Sequence, residues 1–543
     1  MRTRSSALSL VLALSCLAPT QAQEREDASR LEARVSRTAE AARGRTVLVV
    51  GVIGMGSGAV ITPSGRVITN AHVVAGARYA ICRWAGGEQR LMRRLGIDYE
   101  QDLALLEPAE VVEAPLPCFT WRGAPPPEGT WVLGLGFPGG YRGDDWAVAS
   151  LGQITGSAAN TTRVNGVFAY DGALRSDTPI FSGNSGGPLV DLDGRLIGLN
   201  GAADIQAASA LTIPEARIKA RLEELEQGWI LLPTGVRLNP ERTPVLNAFY
   251  RASDRLARQL PERVIGQALS QAEQGVESAE RSPQAPAPEA SPGFAGLAKV
   301  AASSPRQKRL RQLLHGTVRL ATGGASGRAL TSIDPRHAVT LDGELRVGQR
   351  VTLGARTWTV VARSEADDLA LLRVEGSPLP RVELSPARPV GSLIHALEGE
   401  RVFASGIVSS RARRVASGFL QHLRPGGGPL GGLVAGLRRV VEGLGIAPLR
   451  ELLEQIDQAQ ELRDAFSGGT APRSYAWVLS VDAPVAPGQL GGPVVDRLGR
   501  LVGVSVGIAH HGTTYVVPWT RIWRAFGRHL EAPPTRRGAL RLY

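Results

Sequence analysis

A serine in a glycine-rich loop is the residue of this sequence best suited to covalent chemistry. The stretch F-S-G-N-S-G-G-P places Ser185 between Asn184 and Gly186, in a loop too rich in glycine to form a helix. Glycines beside a serine allow successive backbone N–H groups to converge on one point, where they can hold a developing oxyanion. The pattern predicts a nucleophile, and the alternative is an ordinary Gly/Ser turn.

A nucleophilic serine needs a base, because a hydroxyl is a weak nucleophile until a neighbour accepts its proton. His72 follows a predicted strand in the stretch T-N-A-H-V-V, and Asp102 opens the apolar stretch D-L-A-L-L. A histidine side chain can take the proton and later return it to a leaving group. A buried carboxylate can fix the tautomer of that histidine. Taken singly, His72 could be a packed core residue and Asp102 a turn or cap residue.

The three stretches together resemble a known family. T-N-A-H-V-V, D-L-A-L-L and G-N-S-G-G-P-L-V occur in the order found in trypsin-like serine proteases of the HtrA/Deg type, and the resemblance covers roughly residues 46–226. It implies a double β-barrel with the active site in the cleft between the barrels. Carried over position by position, it makes His72 the base, Asp102 its orienting acid and Ser185 the nucleophile. It also makes the N–H groups of Gly183 and Ser185 the oxyanion hole.

The same resemblance locates the primary substrate pocket. Its lining residues would be Ile180, Leu199, Asn200 and Gly201. No acidic residue is available there to pair with lysine or arginine, which argues against a trypsin-like preference. We therefore expect cleavage after a small or medium aliphatic residue. Asp177 matches an aspartate of the family and is expected to be structural.

The elements expected to hold these residues are short strands. Regularly spaced β-prone runs without intervening helices predict β-barrels and an all-β fold, not a parallel α/β sheet. The runs are Thr46–Ile53, Gly58–Thr62, Arg66–Thr69, Tyr79–Trp84, Leu103–Leu106, Trp131–Leu135, Ala147–Ile154 and Val167–Tyr170. After the serine, two further apolar runs flank a D-x-D-G turn and predict a hairpin.

The N-terminal residues predict export. Arg2 and Arg4 precede an apolar run from Ala7 to Leu17, and small residues follow, so residues 1–22 are interpreted as a secretory signal peptide. That run is too short to span a membrane, and no later stretch reaches the length that a membrane helix needs. We therefore expect a periplasmic or secreted protein with no integral membrane segment after cleavage.

The net charge of +12 does not by itself indicate a nucleic-acid partner. Of the 62 lysines and arginines only Lys219, Lys299 and Lys308 are lysines, and the arginines are scattered, mostly singly or in pairs. No nucleic-acid partner is expected, and neither a cofactor nor a metal. Outside the predicted signal peptide, Cys82 and Cys118 could form a disulfide or remain thiols on neighbouring strands.

The second half of the chain repeats the first. A helical pattern and a Pro/Ala-rich linker occupy residues 229–297, where no PDZ-like domain is evident. Beyond them D-L-A-L-L returns at Asp368, and the serine loop returns as G-Q-L-G-G-P-V-V-D with Leu490 in the serine position. The segment matching the histidine strand has glycine near the histidine position, and His337 lies several residues too early. Residues 298–530 therefore predict a degenerate protease-like domain.

Two tandem trypsin-like domains are the predicted architecture. A signal peptide (1–22), a helical segment at the surface (23–44) and an active domain (45–228) precede the linker. The second domain carries a helical insertion at about 430–466, which either packs on its barrel or binds a partner, and a tail (531–543) follows.

The predicted function is hydrolysis of peptide bonds in protein or peptide substrates, by analogy with the family in envelope protein quality control. Oligomerisation is compatible with the sequence but not indicated by it. The alternative is a binding or scaffold protein in which the second domain carries the main role. The complete set of His72, Asp102 and Ser185 argues against that alternative, because a pure binding protein needs no base and nucleophile.

Overall fold

The computed structural model describes two β-rich halves of the chain. The predicted signal peptide up to residue 20, the Pro/Ala-rich linker, the helical insertion and the C-terminal tail lie outside the described residues. Those residues are 21–51, 54–76, 78–138, 147–157, 162–164, 168–180, 183–204, 209–244, 247–248, 251, 258–259, 304–312, 329–342, 345–353, 356–380, 382–398, 401–415, 475–509 and 513–530.

Strands dominate both halves. The elements of the first half are α1 (Gln21–Arg43), β1 (Thr46–Val50), β2 (Met55–Val60), β3 (Val67–Thr69), α2 (Ala71–Val74), β4 (Tyr79–Arg83), β5 (Gln89–Asp98), β6 (Leu103–Pro108), β7 (Trp131–Gly136), β8 (Val148–Ser157), β9 (Thr162–Val164), β10 (Phe168–Tyr170), β11 (Leu174–Ser176), β12 (Pro188–Asp191), β13 (Leu196–Asp204), β14 (Ser209–Pro214), α3 (Glu215–Glu226), β15 (Ile230–Leu231) and β16 (Arg237–Leu238). Those of the second half are α4 (Pro305–Gln312), β17 (Thr331–Ser332), β18 (His337–Leu341), β19 (Arg350–Leu353), β20 (Arg356–Ser364), β21 (Leu369–Val374), β22 (Leu393–Glu398), β23 (Arg401–Ile407), β24 (Arg413–Val415), β25 (Tyr475–Val481), β26 (Pro493–Asp496), β27 (Leu501–Ala509), β28 (Thr513–Pro518) and α5 (Trp519–Phe526).

Two large β-structures and a two-stranded sheet of β9 and β10 build the first half. One is an eight-stranded sheet in the order β16-β15-β5-β4-β1-β2-β3-β6, which an additional β5–β6 pairing curls round on itself. The other is a closed barrel in the order β11-β14-β13-β12-β7-β8. Their strands bury apolar side chains: β1 reads T-V-L-V-V and is buried at every position. The predicted all-β fold is confirmed.

The second half repeats the order of the strands, although neither of its sheets closes into a barrel among the described residues. Its strands form a five-stranded sheet in the order β17-β18-β21-β20-β19 and a seven-stranded sheet in the order β23-β22-β26-β27-β28-β25-β24. The register repeats as well, because Thr340 pairs with Ala370 as Thr69 pairs with Ala104. The predicted tandem pair of β-domains is confirmed.

Two segments differ from the sequence expectation. Residues 23–44 were expected to form a surface helix, but α1 buries Ala28 and Ala39 completely in a core cluster that includes side chains from both halves. The first sheet also extends beyond the expected domain end at residue 228, because Ile230 pairs in parallel with Ile97. The helical pattern expected after Trp229 therefore begins only after β15 and β16.

The sequence pattern does not predict β5. This strand reads Q-R-L-M-R-R-L-G-I-D, and its arginines stay partly exposed while Met92 and Ile97 are fully buried. A register shift between Arg94 and Gly96 marks a bulge opposite β6. Charged residues and a bulge together hide the alternation by which a strand is recognised.

Both cysteines are free thiols in the described part of the chain. Cys82 is buried on β4 and Cys118 is half-buried, so the alternative of a disulfide between them is not realised. Burial raises the pKa of the Cys82 thiol. None of the helices among the described residues is long and apolar enough to cross a membrane.

Candidate active site

His72 lies in α2, the single helical turn between β3 and β4. Its backbone N–H donates to Asp102 Oδ1 at 3.0 Å. Its ring Nδ1 lies 3.0 Å from Oδ1 and 2.9 Å from Oδ2 of the same carboxylate. The ring is 11% exposed, and its centroid lies 5.7 Å from that of Phe168. Because Nδ1 faces the carboxylate, Nε2 is the ring nitrogen left for proton transfer.

Asp102 is a fully buried carboxylate in a left-handed backbone conformation. Its φ of +56° is one that residues other than glycine adopt at a cost. The turn before it is held by Asp98, whose Oδ1 accepts the N–H groups of Glu100 and Gln101 at 2.9 Å each. The side-chain amide of Asn70 donates to the Asp102 carbonyl at 2.9 Å. These bonds position the carboxylate beside α2.

Tyr170, on β10, is a site residue that the sequence analysis missed. Its hydroxyl donates to Asp102 Oδ2 at 2.7 Å, and its side chain is almost completely buried. Burial and the neighbouring Asp102 carboxylate raise the pKa of Tyr170 well above its ordinary value, so the phenol stays protonated and acts as the donor. One signal could have revealed it: the second half keeps Tyr475 at the same distance before Leu490 as Tyr170 lies before Ser185.

Ser185 lies in a turn whose glycines adopt left-handed conformations, with φ +97° at Gly183 and +79° at Gly186. The Ser185 Oγ lies 3.5 Å from the Gly201 carbonyl oxygen on β13, which is long for a hydrogen bond. Among the described residues, no backbone carbonyl accepts the N–H of Gly183 or of Ser185.

Ser57, on β2, ties the serine loop to the first sheet. Its hydroxyl donates to the Gly183 carbonyl at 2.6 Å and accepts the Phe137 N–H at 3.0 Å. Its own backbone N–H donates to the Ser185 carbonyl at 2.8 Å. The sequence does not reveal this role, because the hydroxyl bonds a loop that lies 126 residues away along the chain.

The four expected pocket residues lie in different surroundings. Ile180 is buried just before the serine loop, and Leu199 belongs to the hydrophobic core. The Asn200 amide nitrogen lies 3.4 Å from two carbonyl oxygens of the barrel. Gly201 packs on Tyr170, where an added Cβ would lie 2.7 Å from the phenol oxygen. Of these four residues, Gly201 contacts Ser185 in the described structure, through its carbonyl oxygen.

Tyr170 connects the two parts of the site. Its hydroxyl bonds Asp102 at 2.7 Å, and its ring packs on Gly201, whose carbonyl lies 3.5 Å from Ser185 Oγ. The first sheet thus supplies His72 and Asp102, and the closed barrel supplies the hairpin β12–β13 that follows Ser185. In the part of the chain that the structure describes, no group of His, Cys, Asp and Glu side chains could hold a metal ion.

The corresponding positions of the second half carry different side chains. Asp368 keeps the left-handed conformation, with φ +53°, and Leu490 stands in the serine position. His337 is buried on β18, where its Nδ1 lies 2.9 Å and 3.0 Å from the two Asp334 oxygens. The pairing of Thr340 with Ala370 puts the histidine position at residue 343, a glycine outside the described residues.

A family model described as "Trypsin-like peptidase domain" matches two regions of the chain, residues 56–199 and 322–504. The two regions together make up more than half of the chain. The first contains His72, Asp102 and Ser185, and the second contains Asp368 and Leu490.

Curated relatives match a smaller part of the chain. A "Probable periplasmic serine endoprotease DegP-like" of Rickettsia prowazekii (strain Madrid E) is 34% identical over 151 residues, which are 28% of each chain. One of the same description from Brucella suis biovar 1 is 32% identical over 203 residues, 35% of this chain and 36% of the relative. This chain thus spans about a third of the length of these relatives.

A solved structure also overlaps with part of the chain. The Rv3671c protease of Mycobacterium tuberculosis, in an inactive form, is 26% identical and aligns with 35% of this chain and 93% of its own. The TM-score is 0.31, which is too low to support a functional argument.

Proposed function

Because this chain belongs to the family of trypsin-like peptidase domains, we propose that it is an exported serine endopeptidase acting through His72, Asp102 and Ser185. The observation that carries the proposal is the contact of His72 Nδ1 with the buried Asp102 carboxylate, at 2.9 Å and 3.0 Å. A fully buried carboxylate that fixes Nδ1 of a partly exposed imidazole is the arrangement that a general base requires.

In the proposed mechanism, Asp102 accepts the Nδ1–H of His72, which leaves Nε2 able to take the Ser185 proton. The serine oxygen attacks the carbonyl carbon of the scissile bond, and Asp102 stabilises the imidazolium that forms. Return of the proton to the leaving amine breaks the C–N bond and leaves an acyl-enzyme. Water then attacks the ester carbon and gives a proton to the same histidine, which passes it to the Ser185 oxygen as the ester C–O bond breaks.

The oxyanion of each tetrahedral intermediate would be held by the N–H groups of Gly183 and Ser185. The two bonds by which Ser57 holds the loop, to the Gly183 and Ser185 carbonyls, support this assignment. Loss of one such donor typically costs about 3–4 kcal/mol of transition-state stabilisation. A preformed pair of donors costs no reorganisation during the reaction.

The substrates proposed are proteins or peptides cleaved after a small or medium aliphatic residue. Ile180, Leu199, Asn200 and Gly201 carry no charge with which to bind a basic side chain.

Export to the periplasm or beyond is proposed from the signal-peptide pattern of residues 1–22. The two relatives named above are described as periplasmic, which supports the same compartment. A role in envelope protein quality control is proposed by analogy with the HtrA/Deg type alone.

The second half is proposed to be a degenerate protease domain, within boundaries close to 298–530. Leu490 offers no nucleophile, and His337 is engaged by Asp334. The alternative function, a scaffold in which this half carries the main role, requires that the first half does no chemistry. The contact between His72 and Asp102 favours the enzyme.

The decisive experiment uses a fluorophosphonate probe, which reacts covalently with an activated serine. The mature wild-type protein should be labelled and should hydrolyse casein, and Ser185→Ala should lose both, with kcat falling by on the order of a millionfold. Ser64→Ala, which changes an exposed serine of the first domain, serves as the control and should behave like wild type. Labelling that is absent from wild type, or that persists in Ser185→Ala, would contradict the proposal.

A further inference from the structure

The second half of the chain covers the first part of β8, which pairs with β7 but not with β11. At Ala149 and Leu151, the side of β8 that faces away from β7 meets no described strand of the first half. Instead, the Ala149 N–H donates to the Ser409 carbonyl at 3.0 Å, and the Leu151 N–H donates to Asp482 Oδ2 at 2.7 Å. Residues from the second half thus satisfy backbone groups that a barrel edge would otherwise leave unpaired.

Arg306, on α4, is the buried cation of this boundary. Its side chain is 2% exposed and that of Asp482 is fully buried, and the two pair at 3.0 Å. The guanidinium also donates to the Asp482 carbonyl at 2.9 Å and to the Leu151 carbonyl. Asp482 accepts the Ile407 N–H as well. A planar guanidinium suits this site, since one side chain bonds three acceptors across two domains.

The backbone of the same residue reaches the segment that leads to Ser185. The Arg306 N–H, in the first turn of α4, donates to Asp177 Oδ2 at 2.7 Å, and the Gln153 N–H donates to Asp177 Oδ1 at 2.8 Å. A first-turn N–H has no partner within its helix, so a carboxylate is a favourable acceptor there. Asp177 immediately precedes residues 178–180 and the serine loop.

The two halves use this aspartate in the same way. Asp482 lies eight residues before Leu490, as Asp177 lies eight residues before Ser185. Each accepts an N–H from its own domain, that of Ile407 for Asp482 and that of Gln153 for Asp177. The second oxygen of Asp482 crosses to β8, and the second oxygen of Asp177 accepts from Arg306. Arg306 therefore contacts both aspartates, Asp177 ahead of the Ser185 loop and Asp482 ahead of the Leu490 loop.

We propose that the second domain acts within the same chain as a positioning element for the substrate pocket of the first, with Arg306 as the positioning residue. The inference rests on the proposed protease function and assigns a role to the half that lacks the nucleophile. His72 and Asp102 are held by other elements, namely α2, β6 and β10. Loss of the Arg306 contacts should therefore change substrate binding and selectivity more than the geometry of His72 and Asp102.

The test uses the full-length mature protein and Arg306→Lys, which keeps a positive charge beside Asp482 but cannot make all three side-chain bonds. For peptide substrates with different aliphatic residues at the cleaved position, we expect KM to rise about tenfold and the selectivity between them to shrink, while kcat changes by less than about threefold. Arg497→Lys is the control, because Arg497 pairs with Glu32 between α1 and the second half and does not touch Asp177.

A second variant tests the link through Asp177. In Asp177→Asn one side-chain oxygen becomes a donor, so Gln153 and Arg306 can no longer both find an acceptor there. It should raise KM as Arg306→Lys does. The rise in KM of the double variant should be smaller than the product of the two single rises, because both substitutions weaken the same connection, which runs from Arg306 to Asp177. A rise in KM equal to that product would contradict the proposal that Arg306 acts through Asp177.

Hydrogen exchange supplies a measurement that does not depend on activity. Peptides covering residues 178–185 should exchange faster in Arg306→Lys and Asp177→Asn than in wild type or Arg497→Lys. If Asp177→Asn had the same KM, selectivity and exchange rates as wild type, the inference would be overturned. This holds even if Arg306→Lys failed to fold. A wild type that does not react with the fluorophosphonate would overturn the protease function, and the exchange result would still decide whether the second domain orders this segment.

Discussion

Asp102 accepts hydrogen bonds from the backbone N–H of His72 at 3.0 Å and from the Tyr170 hydroxyl at 2.7 Å, in addition to its contact with the imidazole. A buried carboxylate is stable only when such donors replace the water that it has lost. The same bonds restrict its rotation, so they orient His72 as well. Asp368 keeps the backbone conformation of Asp102 in the second half, which shows that the turn is a property of the fold.

Tyr170→Phe removes one of these donors and leaves the ring in place. A hydrogen bond to a charged group contributes about 1.5–3 kcal/mol. Since the lost bond orients Asp102 and thus His72, we expect kcat to fall by roughly 10- to 100-fold with little change in KM. Steady-state kinetics on a peptide substrate would measure both constants.

Tyr475→Phe is the matched control for that experiment. Tyr475 occupies the corresponding position of the second half, but its hydroxyl donates to the Val506 carbonyl at 2.9 Å. Both variants should lower the unfolding temperature, because both lose a buried hydrogen bond, but only Tyr170→Phe should lower kcat. Equal kinetics in the two variants would contradict the positioning role of Tyr170.

Leu490→Ser tests whether the second half lacks more than its nucleophile. The histidine position there corresponds to Gly343, and the buried His337 already contacts Asp334 at 2.9 Å. In a Ser185→Ala background, Leu490→Ser should therefore remain unlabelled by the fluorophosphonate. Labelling of the serine introduced by this substitution would show that a base is within reach and that the assignment of the histidine position is wrong.

At the level of elements, β13 packs on β10 and so connects Gly201 of the proposed pocket with Tyr170, which bonds Asp102. A Cβ on Gly201 would lie 2.7 Å from the Tyr170 ring and hydroxyl, closer than side chains tolerate. Gly201→Ala should push Tyr170 away from Asp102, costing about 1–3 kcal/mol of stability and lowering kcat. Denaturant unfolding and kinetics on the same preparation would measure the two effects.

Gly488→Ala is the control for the added methyl group. A Cβ there would meet no atom within 4 Å, although Gly488 lies in the counterpart of the serine loop. This variant should keep wild-type stability within about 0.5 kcal/mol and wild-type kcat. If Gly201→Ala behaved in the same way, the packing of β13 on Tyr170 would have no influence on the site.

At the level of the whole molecule, α1 connects the two halves. Glu32 pairs with Arg497 at 2.8 Å and with Arg388 at 3.7 Å in the second half, and Arg34 pairs with Asp193 in the first. The helix also contributes Ala28 and Ala39 to the shared core. Together with Arg306, α1 thus connects the two halves through ion pairs and buried apolar side chains.

Glu32→Ala should weaken this connection, because it removes the carboxylate from two half-buried arginines. We expect a loss of about 1–3 kcal/mol in the free energy of unfolding, measured with denaturant. Glu26→Ala is the control: Glu26 is 61% exposed and pairs with Arg30 on the same helix, so its loss should cost less than about 0.5 kcal/mol. Equal effects of the two substitutions would contradict the role of α1 as a connector.

The sequence predicted those strands whose own residues carry a recognisable pattern of apolar and turn-forming side chains. The run Thr46–Ile53 and the hairpin after Ser185 carry their own signals, in β-branched residues, glycines and a D-x-D-G turn, and the structure forms β1, β12 and β13 there. It did not predict β5, whose arginines and bulge obscure the alternation. Nor did it predict the burial of α1, because the polar composition of that helix does not reveal the core that receives its alanines.

The sequence by itself determined the order and chemical identity of His72, Asp102 and Ser185, and the substitution of Leu490 in the repeat, since these follow from residue types in recurring motifs. Only the tertiary structure identified Tyr170, Ser57 and Arg306. Each of them acts through a contact 68 to 176 residues away along the chain, with Asp102, Gly183 and Asp482 respectively. Such contacts leave no local pattern, because packing brings the partners together and their spacing in the sequence does not.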